Sequence, residues 1–140
     1  MPNFTSLAGL NNLTVLNIGG NGLGSISDLS ALTGLEMLWA TNSGITDISA
    51  LSSLSHLSYL DLGGNTITNL APIDGLSGLQ TLLVDSNYIS DISVLDNKMQ
   101  LNSVDLSDNW LDLGPGTPAG QVVADLQSRG VTVNTVGQHP

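Results

Sequence analysis

Residues 51–76 have the sequence LSSLSHLSYLDLGGNTITNLAPIDGL, and residues 76–95, LSGLQTLLVDSNYISDISVL, repeat its pattern 22 positions later. The same spacing extends along most of the chain as five columns: Leu13, Leu35, Leu57, Leu79 and Leu101; Leu16, Leu38, Leu60, Leu82 and Val104; Ile18, Ala40, Leu62, Val84 and Leu106; Asn21, Ser43, Asn65, Asn87 and Asn109; Leu23, Ile45, Ile67, Ile89 and Leu111. A repeat of this length predicts a solenoid, because one coil cannot bury its leucines alone. The alternation around LxL indicates a strand whose intervening residues point outward.

The consensus LxxLxxLxxLxLxxNxIxDIxxLxxL resembles the 22-residue leucine-rich repeats of bacterial internalin-like proteins, over roughly residues 7–113. This resemblance implies an α/β-type repeat, a leucine-rich repeat solenoid with a parallel concave β-sheet and 3₁₀ or irregular turns on the convex side. It also implies that the recurring asparagine points inward and satisfies backbone groups of its turn. A second polar column, Asp47, Asn69 and Asp91, is expected to cap the following convex turn.

The pattern changes after residue 113, so we expect a solenoid of about five coils over residues 1–113 and a capping unit over residues 114–140. GPGTPAG at 114–120 breaks the repeat, QVVADLQSRG at 121–130 predicts a short helix, and VTVNTV predicts a last strand. We expect residues 117–136 to cover the end of the core. The N-terminal end has few capping residues, so the chain is expected to be a module of a larger multidomain protein, secreted or on a bacterial cell surface.

The charge balance limits the partners of the protein. The 140 residues include 12 acidic and 2 basic side chains, for a net charge of −10. Nucleic acids and anionic membrane surfaces require patches of lysine and arginine, so neither is an expected partner. No run of about 18 apolar residues is present, which argues against membrane insertion.

The sequence predicts neither catalysis nor a cofactor. It contains no cysteine, and His56 and His139 have no plausible nucleophile or metal-ligand partner in the pattern. Asp61, Asp85 and Asp105 lie in neighbouring coils, but an open strand face gives little of the water exclusion that carboxylate catalysis uses. A calcium site formed by Asp85, Asp105 and Asp108 is a minor alternative, and no metal is predicted.

Four outward-facing positions predict an apolar patch on the concave sheet: Met37, Trp39, Tyr59 and Leu83. The predicted ligand-binding residues are this patch together with the polar residues around it, Asn17, Asn42, Asp61, Asp85 and Asp105. An exposed patch of this kind is typical of a binding site. Tyr88 and Trp110 lie 22 residues apart and are expected to stack on each other at the rim of the sheet.

The coil that carries Trp39 departs from its own consensus. It has the sequence LWATNSGI, with Ala40 in a leucine column, Ser43 in the asparagine column and Asn42 displaced by one position. Either this departure serves the binding site, or it is drift in which serine partly replaces asparagine.

These features predict a non-catalytic binding module that uses its concave face. Our first expectation is an oligo- or polysaccharide resembling a β-glucan, because aromatic faces stack on sugar rings while carboxylates and amides bond the hydroxyl groups. The alternative is a protein–protein interaction or adhesion module, which the resemblance to internalins implies. A structural spacer without a ligand is a third possibility.

Overall fold

The computed structural model describes residues 4–140, and its six strands form one parallel sheet in chain order. The strands are β1, Val15–Asn17; β2, Met37–Trp39; β3, Tyr59–Asp61; β4, Thr81–Leu83; β5, Ser103–Asp105; and β6, Thr132–Asn134. From β1 to β5, each residue pairs with the one 22 positions further on, as Leu38 does with Leu60. The predicted leucine-rich repeat solenoid is thereby confirmed.

Short 3₁₀ helices form the convex side, at Ser27–Ala31, Ser49–Ser53, Ala71–Ile73 and Ser93–Asn97. The last three each follow a residue of the second polar column. Asp47 Oδ1 accepts a hydrogen bond from the backbone N–H of Ser49 at 2.8 Å. Asn69 and Asp91 make the same bond, also at 2.8 Å, to the residue two positions later. From the position before the N-cap, each of these side chains therefore bonds the N–H group of the first residue of its 3₁₀ helix, and the predicted role at the start of the convex turn is confirmed in this form.

The core lies between the sheet and the 3₁₀ helices, where the column residues of the middle coils are fully buried. The first coil is less covered. Leu13 and Leu16 are only partly buried, and Leu10 is 47% exposed. Phe4 and Leu7 pack against this end of the core. No helix within residues 4–140 has the length and apolar character needed to cross a membrane.

An asparagine ladder, formed by residues 21, 43, 65, 87 and 109, connects the coils. Asn65 Oδ1 accepts hydrogen bonds from the N–H groups of Ser43 and Ile45, both at 3.0 Å. Its Nδ2 donates to the carbonyl groups of Ala40 at 2.9 Å and Leu62 at 2.7 Å. Buried amides are stable only when bonded in this way. The inward-facing role of the asparagine, implied by the resemblance, is confirmed.

Asn42 is not a displaced member of this ladder, and that interpretation of the sequence was wrong. Its φ is +50°, and it belongs to a column of left-handed residues with Gly20, Gly64, Ser86 and Asp108. Asparagine tolerates this conformation better than most residues. Ser43 itself fills the ladder site, fully buried, with its hydroxyl 2.9 Å from the Thr41 carbonyl. Serine therefore supplies the donor of the missing amide but not its carbonyl acceptor.

The chain after residue 113 forms α1, Pro118–Ser128, and then β6. Thr117 caps α1 by accepting a hydrogen bond from Gly120 N–H at 3.2 Å, and α1 buries Val122, Val123 and Leu126. β6 pairs with β5 at an offset of 29 residues, for example Asp105 with Asn134. The longer offset accommodates an α-helix where the earlier coils have a 3₁₀ helix.

Residues 132–139 repeat the concave half of a coil: the predicted last strand is confirmed, and it is followed by a ladder turn that the sequence analysis did not predict. Gln138 takes the ladder position, because its Oε1 accepts from Leu111 N–H at 3.0 Å and its Nε2 donates to the Leu106 carbonyl at 2.8 Å. Gly137 has the left-handed φ of the preceding column, at +77°. The ladder thus extends beyond the last asparagine through a glutamine.

Candidate binding face

Trp39 and Tyr59 form an aromatic pair on the concave side of β2 and β3. Their ring centroids are 4.8 Å apart, with an angle of 36° between the ring planes. They are diagonal neighbours, since Tyr59 pairs in register with Met37 and Trp39 pairs with Asp61. The LxL alternation predicted that both side chains point outward. This is confirmed, because their chain neighbours Leu38 and Leu60 are buried in the core.

The aromatic pair belongs to a concave patch that also contains Met37 and Leu83. Leu83 lies in the same cross-strand row as Trp39, with Asp61 between them. All four side chains are half-buried. The side chains of the patch are therefore partly shielded from solvent, and the patch is less exposed than the sequence suggested.

Asp61, Asp85 and Asp105 form a carboxylate cluster beside this patch. Asp61 and Asp105 occupy one row, separated by Leu83 on β4. Asp85 follows β4, and its carboxylate lies over Gly63, where a Cβ atom would be 2.6 Å from Asp85 Oδ1. Only a glycine leaves room for the carboxylate there. Asp85 thereby leans towards the coil that carries Asp61.

The pKa values of the three carboxyl groups in the cluster are shifted in different directions. Burial, opposed by a hydrogen bond from Gly63 N–H, raises the pKa of Asp61, and the charge of Asp105 adds to the increase. Burial raises the pKa of Asp85 as well, with further contributions from the charges of Asp105 and Asp61. Burial also acts on Asp105, but hydrogen bonds from the Ser107 hydroxyl and N–H and from Asn134 outweigh it and lower the pKa.

The two predicted asparagines occupy different positions relative to Trp39. Asn17 pairs with Trp39 in register, and its Oδ1 accepts from Gly19 N–H at 3.1 Å. Asn42 lies at the rim, where its side chain covers the Cα atom of Gly64. Asn17 therefore extends the row of the aromatic pair, whereas Asn42 borders the face without entering a strand.

A second group of rings lies at the rim, outside the concave patch. Tyr88 and Trp110 stack with centroids 6.3 Å apart and an angle of 21°, which confirms the predicted stacking. His139 adds a third ring, 5.4 Å from Trp110. This rim stack borders a shallow depression of about 420 Å³ that includes Ser86 and Asp108. His139 lies 29 residues after Trp110, so the 22-residue period does not predict its place in the stack.

Residues 4–140 contain no group of three or more histidine or acidic side chains arranged to hold a metal ion. Asp85, Asp105 and Asp108, the minor calcium alternative, therefore have no support from the geometry. The concave face instead combines aromatic and aliphatic side chains with carboxylates on one parallel sheet.

Sequence and structure comparisons agree with this architecture. The model of a family described as leucine-rich repeats, in two copies, matches residues 11–53, 33–75 and 55–97. The chain belongs to the leucine-rich repeat family. No curated protein sequence matches it significantly.

Among solved structures, internalin C2 from Listeria monocytogenes is 34% identical, with a TM-score of 0.78, over 86% of this chain and 52% of that one. An internalin F from the same species is 31% identical, with a TM-score of 0.78, over 97% and 45% of the two chains. A leucine-rich repeat protein of Leptospira interrogans, 24% identical over 95% and 33%, has a TM-score of 0.81 and shows the shared fold. The chain spans about half the length of these internalins, and the predicted internalin-like class is confirmed.

Proposed function

We propose that this chain is a protein–protein interaction module whose concave face contacts the partner through the aromatic pair Trp39 and Tyr59. The observation that carries the proposal is this pair itself, half-buried and in mutual contact at 4.8 Å on an open sheet. Tryptophan, tyrosine and methionine are enriched in the centre of protein interfaces, where a few such residues supply most of the affinity. The similarity to internalins supports the same non-catalytic role.

The first expectation, a β-glucan-like polysaccharide, has less support. A sugar chain stacks its successive rings on a row of aromatic faces, but Trp39 and Tyr59 contact each other and are tilted by 36° against each other, so they offer no such row. Nothing in the comparisons points to a carbohydrate. A protein partner, which fills irregular apolar surface with side chains of many shapes, suits the concave patch better.

Selection of binding peptides tests this proposal and does not require that the natural partner be identified first. The intact chain is used to select from a displayed library of random peptides, and the affinities of the selected peptides are then measured for Trp39→Ser and Tyr59→Ser. We expect each substitution to weaken binding by roughly 30-fold or more, as for an interface hot spot. Tyr88→Ser is the matched control, because it removes an aromatic ring from the rim and leaves the concave patch intact.

A glycan array tests the carbohydrate alternative with the same four proteins: the unmodified chain and its three serine variants. Binding of a glucan that disappears in Trp39→Ser would overturn the proposal in favour of carbohydrate. Selected peptides that bind Trp39→Ser and Tyr59→Ser as well as the unmodified chain would show that the concave patch is not the interface.

We also propose that the chain acts within a larger multidomain protein that is secreted or exposed on a bacterial cell surface. The support is its similarity to parts of longer internalin chains. Immunodetection in the medium, surface and cytoplasmic fractions of the source cells tests the location, and a signal confined to the cytoplasmic fraction would refute it.

A further inference from the structure

In the part of the chain that the structure describes, no basic side chain neutralises the carboxylate cluster, and the sequence has only one lysine, Lys98, and one arginine, Arg129. Lys98 is 1% exposed on the convex side, where its Nζ donates to the Asp74 carbonyl and to Asn97 Oδ1, both at 2.7 Å. Arg129 Nε lies 3.0 Å from an oxygen of Asp125 on α1. Within residues 4–140 neither of these side chains reaches the concave face, which leaves the neutralising cation there for a partner to supply.

The geometry of the cluster favours one kind of cation. Asp61 is the register partner of Trp39, and neighbouring strands are about 4.8 Å apart. Asp85 leans over Gly63 towards the same coil. A flat aromatic surface and two carboxylates therefore lie side by side, and both carboxylates are partly removed from water.

We propose that the concave face receives an arginine side chain of the partner, with its guanidinium group stacked against Trp39 and ion-paired with Asp61 and Asp85. A guanidinium group is planar, stacks on aromatic rings and bonds carboxylates through several N–H groups at once, whereas a lysine ammonium group is a compact, strongly hydrated charge. Asp105, held by Ser107 and Asn134, remains ionised and adds to the attraction. The inference rests on the proposed protein-binding function and specifies which side chain that function recognises.

Nuclear magnetic resonance titrations with small probes test the inference directly. The probes are the blocked amino acids N-acetyl-arginine amide, N-acetyl-lysine amide and N-acetyl-citrulline amide, and the signals followed are the indole N–H groups of Trp39 and Trp110. Citrulline has nearly the shape of arginine but no charge. We expect arginine to shift the Trp39 signal with an affinity at least roughly threefold above that of lysine, and citrulline to have little effect.

Two kinds of variant then distinguish the charge of the carboxylates from their position as the cause of arginine binding. Asp61→Asn and Asp85→Asn should each weaken the arginine effect by roughly fivefold, while Asp96→Asn on the convex side should not. Gly63→Ala adds a Cβ atom at a site 2.6 Å from Asp85 Oδ1, so it should displace that carboxylate and weaken binding without changing the charge. Gly78→Ala is its control, because a Cβ atom there meets nothing closer than 4.0 Å.

Three results would overturn the inference. They are equal effects of citrulline and arginine on Trp39, equal effects of arginine on Trp39 and Trp110, and retention of arginine binding in both Asp61→Asn and Asp85→Asn. If the probes fail in this way while selected peptides still require Trp39, the proposed function stands and only the arginine assignment is lost. If the selected peptides do not require Trp39 either, the proposed function fails as well.

Discussion

Substitution of Asn65 by alanine should be among the most damaging single changes in the chain. It removes one amide that bonds two backbone N–H groups, of Ser43 and Ile45, and three backbone carbonyls. Each buried N–H group left without a partner costs about 1–3 kcal/mol. The two N–H groups alone therefore predict a loss of roughly 2–6 kcal/mol, against a total stability of about 5–15 kcal/mol for a domain.

The assay is urea unfolding followed by circular dichroism, with Asn21→Ala as the matched control. Asn21 belongs to the same column but is exposed, and its Nδ2 bonds only carbonyls of its own turn. We expect its loss to cost less than about 1 kcal/mol. A cost for Asn65→Ala below about 1 kcal/mol, or equal to that of Asn21→Ala, would refute the argument that the ladder stabilises the stacked coils.

Further outcomes follow from other side chains. We propose that residues 114–140 close the solenoid, so Gln138→Ala should cost about 1–3 kcal/mol in urea unfolding; no loss would contradict that role. Lys98→Met should leave stability unchanged or raise it by up to about 3 kcal/mol, because a buried ammonium group is replaced by an apolar chain of similar length; a marked loss would show that its two hydrogen bonds outweigh its burial. The pKa of Asp85 is raised by burial, Asp105 and Asp61, so Asp85→Asn should raise the melting temperature at pH 7, and the gain should vanish below pH 3.8, where the carboxyl is protonated in both states; a gain independent of pH would contradict the electrostatic cause. Trp110→Ala should cost about 0.5–1.5 kcal/mol and leave peptide binding unchanged; lost binding would extend the interface to the rim.

The sequence determined the facing of the strand residues because a strict 22-residue period leaves little freedom of register. The neighbours of Trp39, the inward asparagines and the contact between Tyr88 and Trp110 all follow from counting. Counting also identified Asp47 as a turn residue, since a short acidic side chain before a 3₁₀ helix can bond the N–H group two positions later.

Two kinds of feature could not be predicted. Some residues lie outside the 22-residue period, and others depend on backbone or side-chain conformation, which a repeat pattern does not specify. Gln138 and His139 follow a 29-residue offset, so they fall outside the columns they complete. Asn42 looked like a ladder residue out of place, because sequence spacing does not show which position takes a positive φ. The approach of Asp85 to Gly63 depends on the direction of one side chain, which no repeat pattern specifies.

The asparagine ladder has a consequence for extending the molecule. Each amide bonds only its own turn and the turn before it, so a coil carries at its two edges the same set of donors and acceptors. If residues 79–100 were copied in tandem, the ladder bonds of the copy would therefore match both neighbours. Each copy would lengthen the concave sheet by about 4.8 Å and leave the two ends as they are.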